Sequence, residues 1–166
     1  PTVTGQMPRD LHESILERTH ELVAEQARIF NDDVRPGLVS EGIHIVRWVD
    51  LGDEEKTRMR ALFAERIFPV LTPLAVDPSH PFPYIRGLSI NLAVMLRNPT
   101  TGLQQFARIK VPSVLPRLVS LGQGRFLPLE EVISRHLDQV FTGMDVLQHT
   151  TFRVTRNEDL EVEEDD

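Results

Sequence analysis

The stretch Phe68-Pro-Val-Leu-Thr-Pro-Leu-Ala-Val-Asp-Pro-Ser-His-Pro-Phe-Pro-Tyr84 places five prolines in seventeen residues. Each proline fixes its own φ angle, removes a backbone donor and biases the preceding residue toward extended geometry. We therefore expect a stiff, ordered connector without regular secondary structure between a helical front part and a mixed rear part. The motif residues of this connector are Thr72, Pro73, Asp77, Pro78, His80, Pro81, Phe82 and Pro83.

In front of the connector, apolar residues recur at helical spacing. The pattern from Arg9 to about Asp33 predicts one long amphipathic helix. Pro36 suits the first position of a further short turn, and Gly42 suits a left-handed cap that ends it. The alternation over residues 43–49 favours a short strand, and Asp53 can cap a second helix.

Behind the connector, residues 89–97 and 104–111 alternate as two strands of a hairpin. Pairing Leu92 with Ile109 and Val94 with Ala107 keeps the apolar side chains on one face, whereas a one-residue slip would oppose them to charged residues. Further expected elements are a strand at 117–121, a helix at 128–137 and a strand at 144–156. The predicted class is α+β: a long N-terminal helix or helices plus a small antiparallel sheet with flanking helices.

The charge of the chain is unevenly distributed. The net charge is −7, but residues 158–166 contribute seven of the 25 acidic residues, so the rest balances 18 positive against 18 negative side chains. A neutral body lacks the basic field of a nucleic-acid binder, so we expect no nucleic-acid partner. There is no cysteine, and no apolar run approaches the roughly 20 residues of a membrane span. We expect a cytoplasmic protein.

Basic residues on one face of the predicted hairpin are the candidate binding site. Arg97, Arg108 and Lys110 could contact a phosphate chain or an inositol headgroup, or belong to a solvated or subunit-facing sheet surface. The two readings remain open.

Motifs for catalysis and metal binding are missing from the sequence. His12 and His20 are eight residues apart, too far for a pair on adjacent helical turns, and no His-Glu-x-x-His, P-loop or Gly-x-Ser-x-Gly pattern occurs. His80 lies near Asp77, where a loop hydrogen bond is the simpler explanation than a functional imidazole. We predict no catalytic, cofactor-binding or metal-binding residue.

Several spaced blocks resemble one family. They are Phe68 to Tyr84, Leu88-Ser-Ile-Asn-Leu-Ala-Val94, Phe106-Ala-Arg-Ile-Lys-Val-Pro112, Arg125-Phe-Leu-Pro-Leu-Glu-Glu131 and Phe152-Arg-Val-Thr-Arg-Asn157. In this order they resemble bacterial polyphosphate kinase of the histidine-phosphorylating type, over nearly the whole chain.

The resemblance implies an enzyme, with Mg and ATP, that reversibly transfers the terminal phosphate of ATP to polyphosphate. It implies a phosphoprotein that is a homo-oligomer, in the cytoplasm or peripheral to the inner membrane. Residues 1–51 would end the N-terminal helical domain and 52–166 would form a phox-like head domain that makes dimer contacts. The catalytic C-terminal domains of the family have no counterpart here, so the chain alone is expected to be inactive. The alternative is a stand-alone phosphoinositide- or polyphosphate-binding module.

Overall fold

In the computed structural model of the chain, which describes residues 7–76 and 84–154, the backbone contacts separate into two units. The first unit runs to Ile45 and includes Gln123–Arg125. The second comprises Val46–Gly122 and continues from Phe126.

The first unit is mainly helical. Helix α1 spans Pro8–Ile29, a π-helical turn follows at Phe30–Val34, and α2 spans Arg35–Ser40. The predicted long helix is thus confirmed, and Gly42 adopts the predicted left-handed conformation, with φ of 74°. None of these three helical segments contains a buried residue. None of the described helices combines the length and the apolar composition of a membrane-spanning segment.

Three short strands form a sheet in the order β1-β6-β5: β1 is His44–Ile45, β5 is Leu118–Gly122 and β6 is Arg125–Pro128. Strands β5 and β6 are joined by Gln123 and Gly124, which have φ of 53° and 72°. Two successive positive φ angles match a type I′ turn, which suits the twist of a two-residue hairpin. The strand predicted at 117–121 therefore belongs to a different sheet from the predicted hairpin, and the described residues form two small sheets where we expected one.

Helix α3, Asp53–Leu62, opens the helical part of the second unit. Its cap is Gly52, whose backbone N–H donates to Glu55 Oε2 at 3.0 Å, so the prediction that Asp53 caps the helix was wrong by one residue. The chain continues through a π-helical turn at Phe63–Ile67 and a 3-10 turn at Phe68–Val70.

Part of the connector forms a strand, which corrects the expectation of a segment without regular structure. Strand β2, Pro73–Val76, lies at the edge of a four-stranded sheet and pairs with β4, Gln104–Lys110. A proline at the first position of an edge strand removes no ladder hydrogen bond that the sheet needs. The remaining connector residues, Asp77, Pro78, His80, Pro81, Phe82 and Pro83, lie outside the described residues.

The four-stranded sheet has the order β2-β4-β3-β7, with β3 at Asn91–Arg97 and β7 at Asp145–Phe152. The predicted hairpin register is confirmed, because Leu92 faces Ile109 and Val94 faces Ala107. Strand β7 pairs antiparallel with β3, with an irregularity between Met95 and Leu96.

One face of this sheet packs in the core of the second unit against α3 and two short helices, α4 at Leu129–Ser134 and α5 at Leu137–Val140. Leu92, Val94 and Leu96 are at most 1% exposed, and burying each such side chain contributes about 1.5 to 3 kcal/mol. The predicted α+β class is confirmed.

Candidate functional site

The predicted basic residues share the sheet face opposite the core, but they do not form one cluster. Lys110 pairs with Asn91 and Arg97 pairs with Gln104, so the two ends lie six positions apart along β4. At the rise of a strand this is about 20 Å. Arg97 is also occupied, since its Nη2 donates to Asp145 Oδ2 at 2.7 Å on the neighbouring strand. Arg97 therefore belongs to a cross-strand ion pair.

Arg108 is buried, not solvated as a member of a surface patch would be. It is 9% exposed, and its Nη1 donates to the Tyr84 carbonyl oxygen at 3.1 Å. Its Nε has no hydrogen-bond partner among the described residues. The guanidinium thus ties the segment before β3 to the sheet, which gives Arg108 a positioning role whether or not it also contacts an anion.

Lys110 lines a cavity of about 420 Å³ at the end of the sheet where β3 begins and β4 ends. The segment before β3 contributes Arg86, and the loop that follows β4 contributes Arg117. Ile90, Val111, Pro112 and Leu115 supply apolar wall. The volume lies within the range of small-molecule sites, in which a few polar groups project from largely apolar walls.

A tight turn shapes the near wall of this cavity. Leu88 has a φ of 60°, although a leucine rarely adopts the left-handed region, and its side chain is 80% exposed. The turn is held because Ser89 Oγ donates to the Arg86 carbonyl oxygen at 2.7 Å, and Asn91 Nδ2 donates to Ser89 Oγ at 3.1 Å. Asn91 is fully buried. The Arg86 backbone is therefore fixed through Ser89 to the buried side chain of Asn91.

The three cations of the cavity differ in their pairing. Arg117 Nη2 lies 2.6 Å from Glu130 Oε1, so its charge is largely balanced. Within the described part of the chain, neither Arg86 nor Lys110 has an ion-pair partner. The cavity therefore has two positive charges without a carboxylate partner among the described residues and the hydroxyl of Ser113, a combination that favours an anion.

Among the residues that the structure describes, no group of three or more His, Cys, Asp or Glu side chains could hold a metal. His136 is 3% exposed, stacks on Phe63 with ring centroids 4.4 Å apart, and contacts Trp48 edge to face. Its Nδ1 lies 2.7 Å from the Val132 carbonyl oxygen, so that nitrogen carries the proton and donates. This histidine belongs to the core.

A second cavity, of about 610 Å³, has mainly apolar walls from Met59, Leu62 and Leu118. Arg58 and Arg66 also line it, and Arg58 Nη2 donates to the Leu121 carbonyl oxygen at 3.2 Å. With one of its two arginines engaged by the backbone, this cavity is a weaker anion site than the first.

Sequence reasoning identified Lys110 but missed Arg86, Ser113 and Arg117. Arg86 lies more than twenty positions before Lys110. Ser113 and Arg117 lie after it, in a loop that contains prolines. No spacing rule connects them, and only the pairing of β3 with β4 brings their segments together.

The comparisons with known proteins agree on one family. A family model described as "Polyphosphate kinase middle domain" matches residues 54–166. A polyphosphate kinase of Streptomyces coelicolor is 58% identical over 99% of this chain and 22% of its own length. One of Mycobacterium avium is 49% identical over 97% of the chain and 24% of its length. The crystal structure of polyphosphate kinase from Porphyromonas gingivalis superposes with a TM-score of 0.75 at 33% identity, covering 92% of this chain and 25% of that one. The chain spans about a quarter of the length of these relatives.

Proposed function

The chain belongs to the polyphosphate kinase family, and from that membership we propose that it is an internal, non-catalytic portion of such an enzyme. The complete protein would transfer the terminal phosphate of ATP to a growing polyphosphate chain. The observation that carries the proposal is the match of nearly the whole chain to about a quarter of each relative. Residues 1–51 would complete a helical domain, and 52–166 would form the head domain.

The chemistry of the described residues fits a scaffold. They contain no cluster of three side chains that could hold Mg, and their buried histidine is fixed in an aromatic stack. Phosphoryl transfer depends on positioning and on charge stabilisation by metal ions and cations. We therefore assign the metal, the ATP and the phosphorylated histidine to other parts of the complete enzyme.

Helix α1 supports a role in assembly. Ile15, Leu22 and Ile29 repeat every seven residues, and each is at least 40% exposed. Leu16, Val23 and Phe30, the last in the turn that directly follows α1, repeat in the same way one position along, and together we call these six residues the α1 stripe. A seven-residue apolar repeat is typical of a helix that packs against another helix. We propose that the stripe is covered by helices of the complete enzyme, while the head domain provides dimer contacts.

Activity measurements test the catalytic part of this proposal. The full-length protein that contains this chain should incorporate label from γ-labelled ATP into polyphosphate in the presence of Mg, and the 166-residue chain should not. A full-length protein without this activity, or turnover by the pure 166-residue chain, would refute the proposal.

Two matched variants test the α1 stripe in the full-length protein. Leu22→Glu places a charge on the stripe, and Ala24→Glu places the same charge on the opposite side of the helix, two residues away. We expect Leu22→Glu to lower the melting temperature by several degrees, because covering the stripe would bury the new carboxylate. Ala24→Glu should leave the melting temperature nearly unchanged. Equal shifts would contradict helix packing on the stripe.

Sedimentation equilibrium tests the proposed dimer contacts of the head domain. The 166-residue chain should associate into dimers as its concentration rises, and a strictly monomeric chain at high micromolar concentration would contradict a head-domain dimer.

A further inference from the structure

We infer that the cavity formed by Arg86, Lys110 and Arg117 is an anion-binding site that takes closely spaced phosphate groups of a linear oligophosphate. The choice of a linear phosphate chain depends on the proposed function, whereas the presence of an anion site depends only on the cavity. This site shares only Lys110 with the basic patch proposed from the sequence, because neither Arg97 nor Arg108 lines the cavity.

Electrostatics favour an anion here. Arg86 and Lys110 are exposed cations without an ion-pair partner among the described residues, while Arg97 and Arg117 each lie within 2.7 Å of a carboxylate oxygen. An unpaired guanidinium offers a planar fork of donors, and an ammonium offers a compact point charge; both are common phosphate ligands. One phosphate group can be held by the guanidinium while the next contacts the ammonium.

The walls favour a bound ligand over a passing counterion. Ile90, Val111 and Leu115 form apolar surface around the cations. Beside such walls, the attraction between a cation and a bound anion is screened less than it is in open solvent. The Arg86 backbone is held by Ser89, and Ser89 by the buried Asn91. Little ordering of this segment is then required when the ligand binds, which favours affinity.

Binding of sodium tripolyphosphate to the 166-residue chain, measured by isothermal titration calorimetry in buffer without Mg, tests the inference. We expect saturable binding at one site, weaker binding of orthophosphate, and loss of affinity as salt is raised. The double variant Arg86→Gln with Lys110→Gln should weaken tripolyphosphate binding by about tenfold or more, because both unpaired cations are removed.

The control is a second double variant that replaces one lysine and one arginine outside the cavity. Lys56 and Lys110 are the only two lysines of the chain. Lys56→Gln with Arg60→Gln, both on α3 and outside the cavity lining, changes the net charge equally and should alter affinity less than twofold. Equal weakening in the two double variants would mean general charge attraction and would overturn the site. Absence of tripolyphosphate binding to the parent chain would overturn it as well.

Two further measurements separate the remaining outcomes. If the double variant melts at a lower temperature than the parent chain, the charge-conserving double variant Arg86→Lys with Lys110→Arg replaces it. This second variant should bind tripolyphosphate within about threefold of the parent affinity. Loss of binding in the folded charge-conserving variant would overturn a site that recognises charge. Co-sedimentation with vesicles containing phosphatidylinositol 4-phosphate distinguishes a lipid headgroup from a free phosphate chain. Vesicle binding without tripolyphosphate binding would overturn the assignment to a linear oligophosphate.

This binding measurement and the activity measurement fail independently. A full-length protein that makes polyphosphate, together with a chain that does not bind tripolyphosphate, would refute only the site. Binding by the chain without activity of the full-length protein would refute only the proposed enzyme.

Discussion

Substitution of Gly124 by alanine should destabilise the chain far more than the same substitution at Gly102. Both glycines have a φ of 72°, so alanine suffers the same left-handed strain at each position, about 1 to 2 kcal/mol. A methyl group added at Gly102 meets no atom within 4 Å, whereas at Gly124 it overlaps the carbonyl oxygen of Gly42 and lies 3.1 Å from its carbonyl carbon. Gly102→Ala is therefore a control for backbone strain alone.

The additional loss at Gly124 follows from the backbone around it. The overlapping atoms are backbone, which cannot rotate away as a flexible side chain would. The His44 N–H donates to the Gly124 carbonyl oxygen at 2.8 Å, and this hydrogen bond must shift to make room. Overpacking costs about 1 to 3 kcal/mol, and a lost hydrogen bond costs about 0.5 to 1.5 kcal/mol. We expect Gly124→Ala to lower the free energy of unfolding by about 2 to 4 kcal/mol more than Gly102→Ala does.

Urea unfolding followed by circular dichroism measures the difference through the midpoints. Amide hydrogen exchange of His44 reports on the local hydrogen bond, because its protection depends on the contact with Gly124. Equal midpoints for the two variants, combined with a His44 amide as protected in Gly124→Ala as in the parent, would refute the close approach of these two segments.

Three other substitutions test separate features. Phe63→Ala removes a fully buried ring that stacks on His136 and should cost about 3 to 5 kcal/mol in urea unfolding; a cost below 1 kcal/mol would contradict its place in the core. Gln123→Asn supplies the residue that a type I′ turn prefers at a positive φ, so a gain of up to about 1 kcal/mol is expected, and a clear loss would argue against this turn. The hydrogen bond from Arg28 lowers the pKa of the Glu25 carboxyl, so the pair stabilises the helix above the unfolded pKa of Glu25 and this contribution is lost as the pH falls through the folded value. An NMR titration should show that Arg28→Gln or high salt raises this pKa, and an unchanged pKa would exclude the contact.

The hairpin shows what a single sequence can specify. Alternating apolar residues on two neighbouring segments leave only one register that places the apolar side chains of both strands on the same face, and the pairing of Leu92 with Ile109 follows from that condition alone. The left-handed conformation of Gly42 was also predictable, because a glycine directly after a helix commonly adopts this conformation to end the helix. Both predictions depend on residues close in sequence or on one strict alternation.

The elements that sequence reasoning missed depend on partners distant in the chain. Pro73–Val76 reads as a proline-rich loop, and it becomes a strand because β4 offers a free edge. Arg108 lies at an alternate position of its strand, as a solvent-facing residue would, yet it is buried and donates to the carbonyl oxygen of Tyr84. Neither neighbour can be inferred from local periodicity.

The pairing of the cations also explains why the abundance of arginine is a poor guide to a binding site here. Of the 18 basic residues, 16 are arginine, and composition alone assigns them no role. In the structure, Arg97 faces Asp145 and Arg117 faces Glu130, so their charges are used within the fold. Arg86 and Lys110 face one cavity without such a carboxylate among the described residues. Because an ion pair cancels most of the field that an anion would experience, charge pairing distinguishes a binding cation from a structural one better than residue type or exposure does.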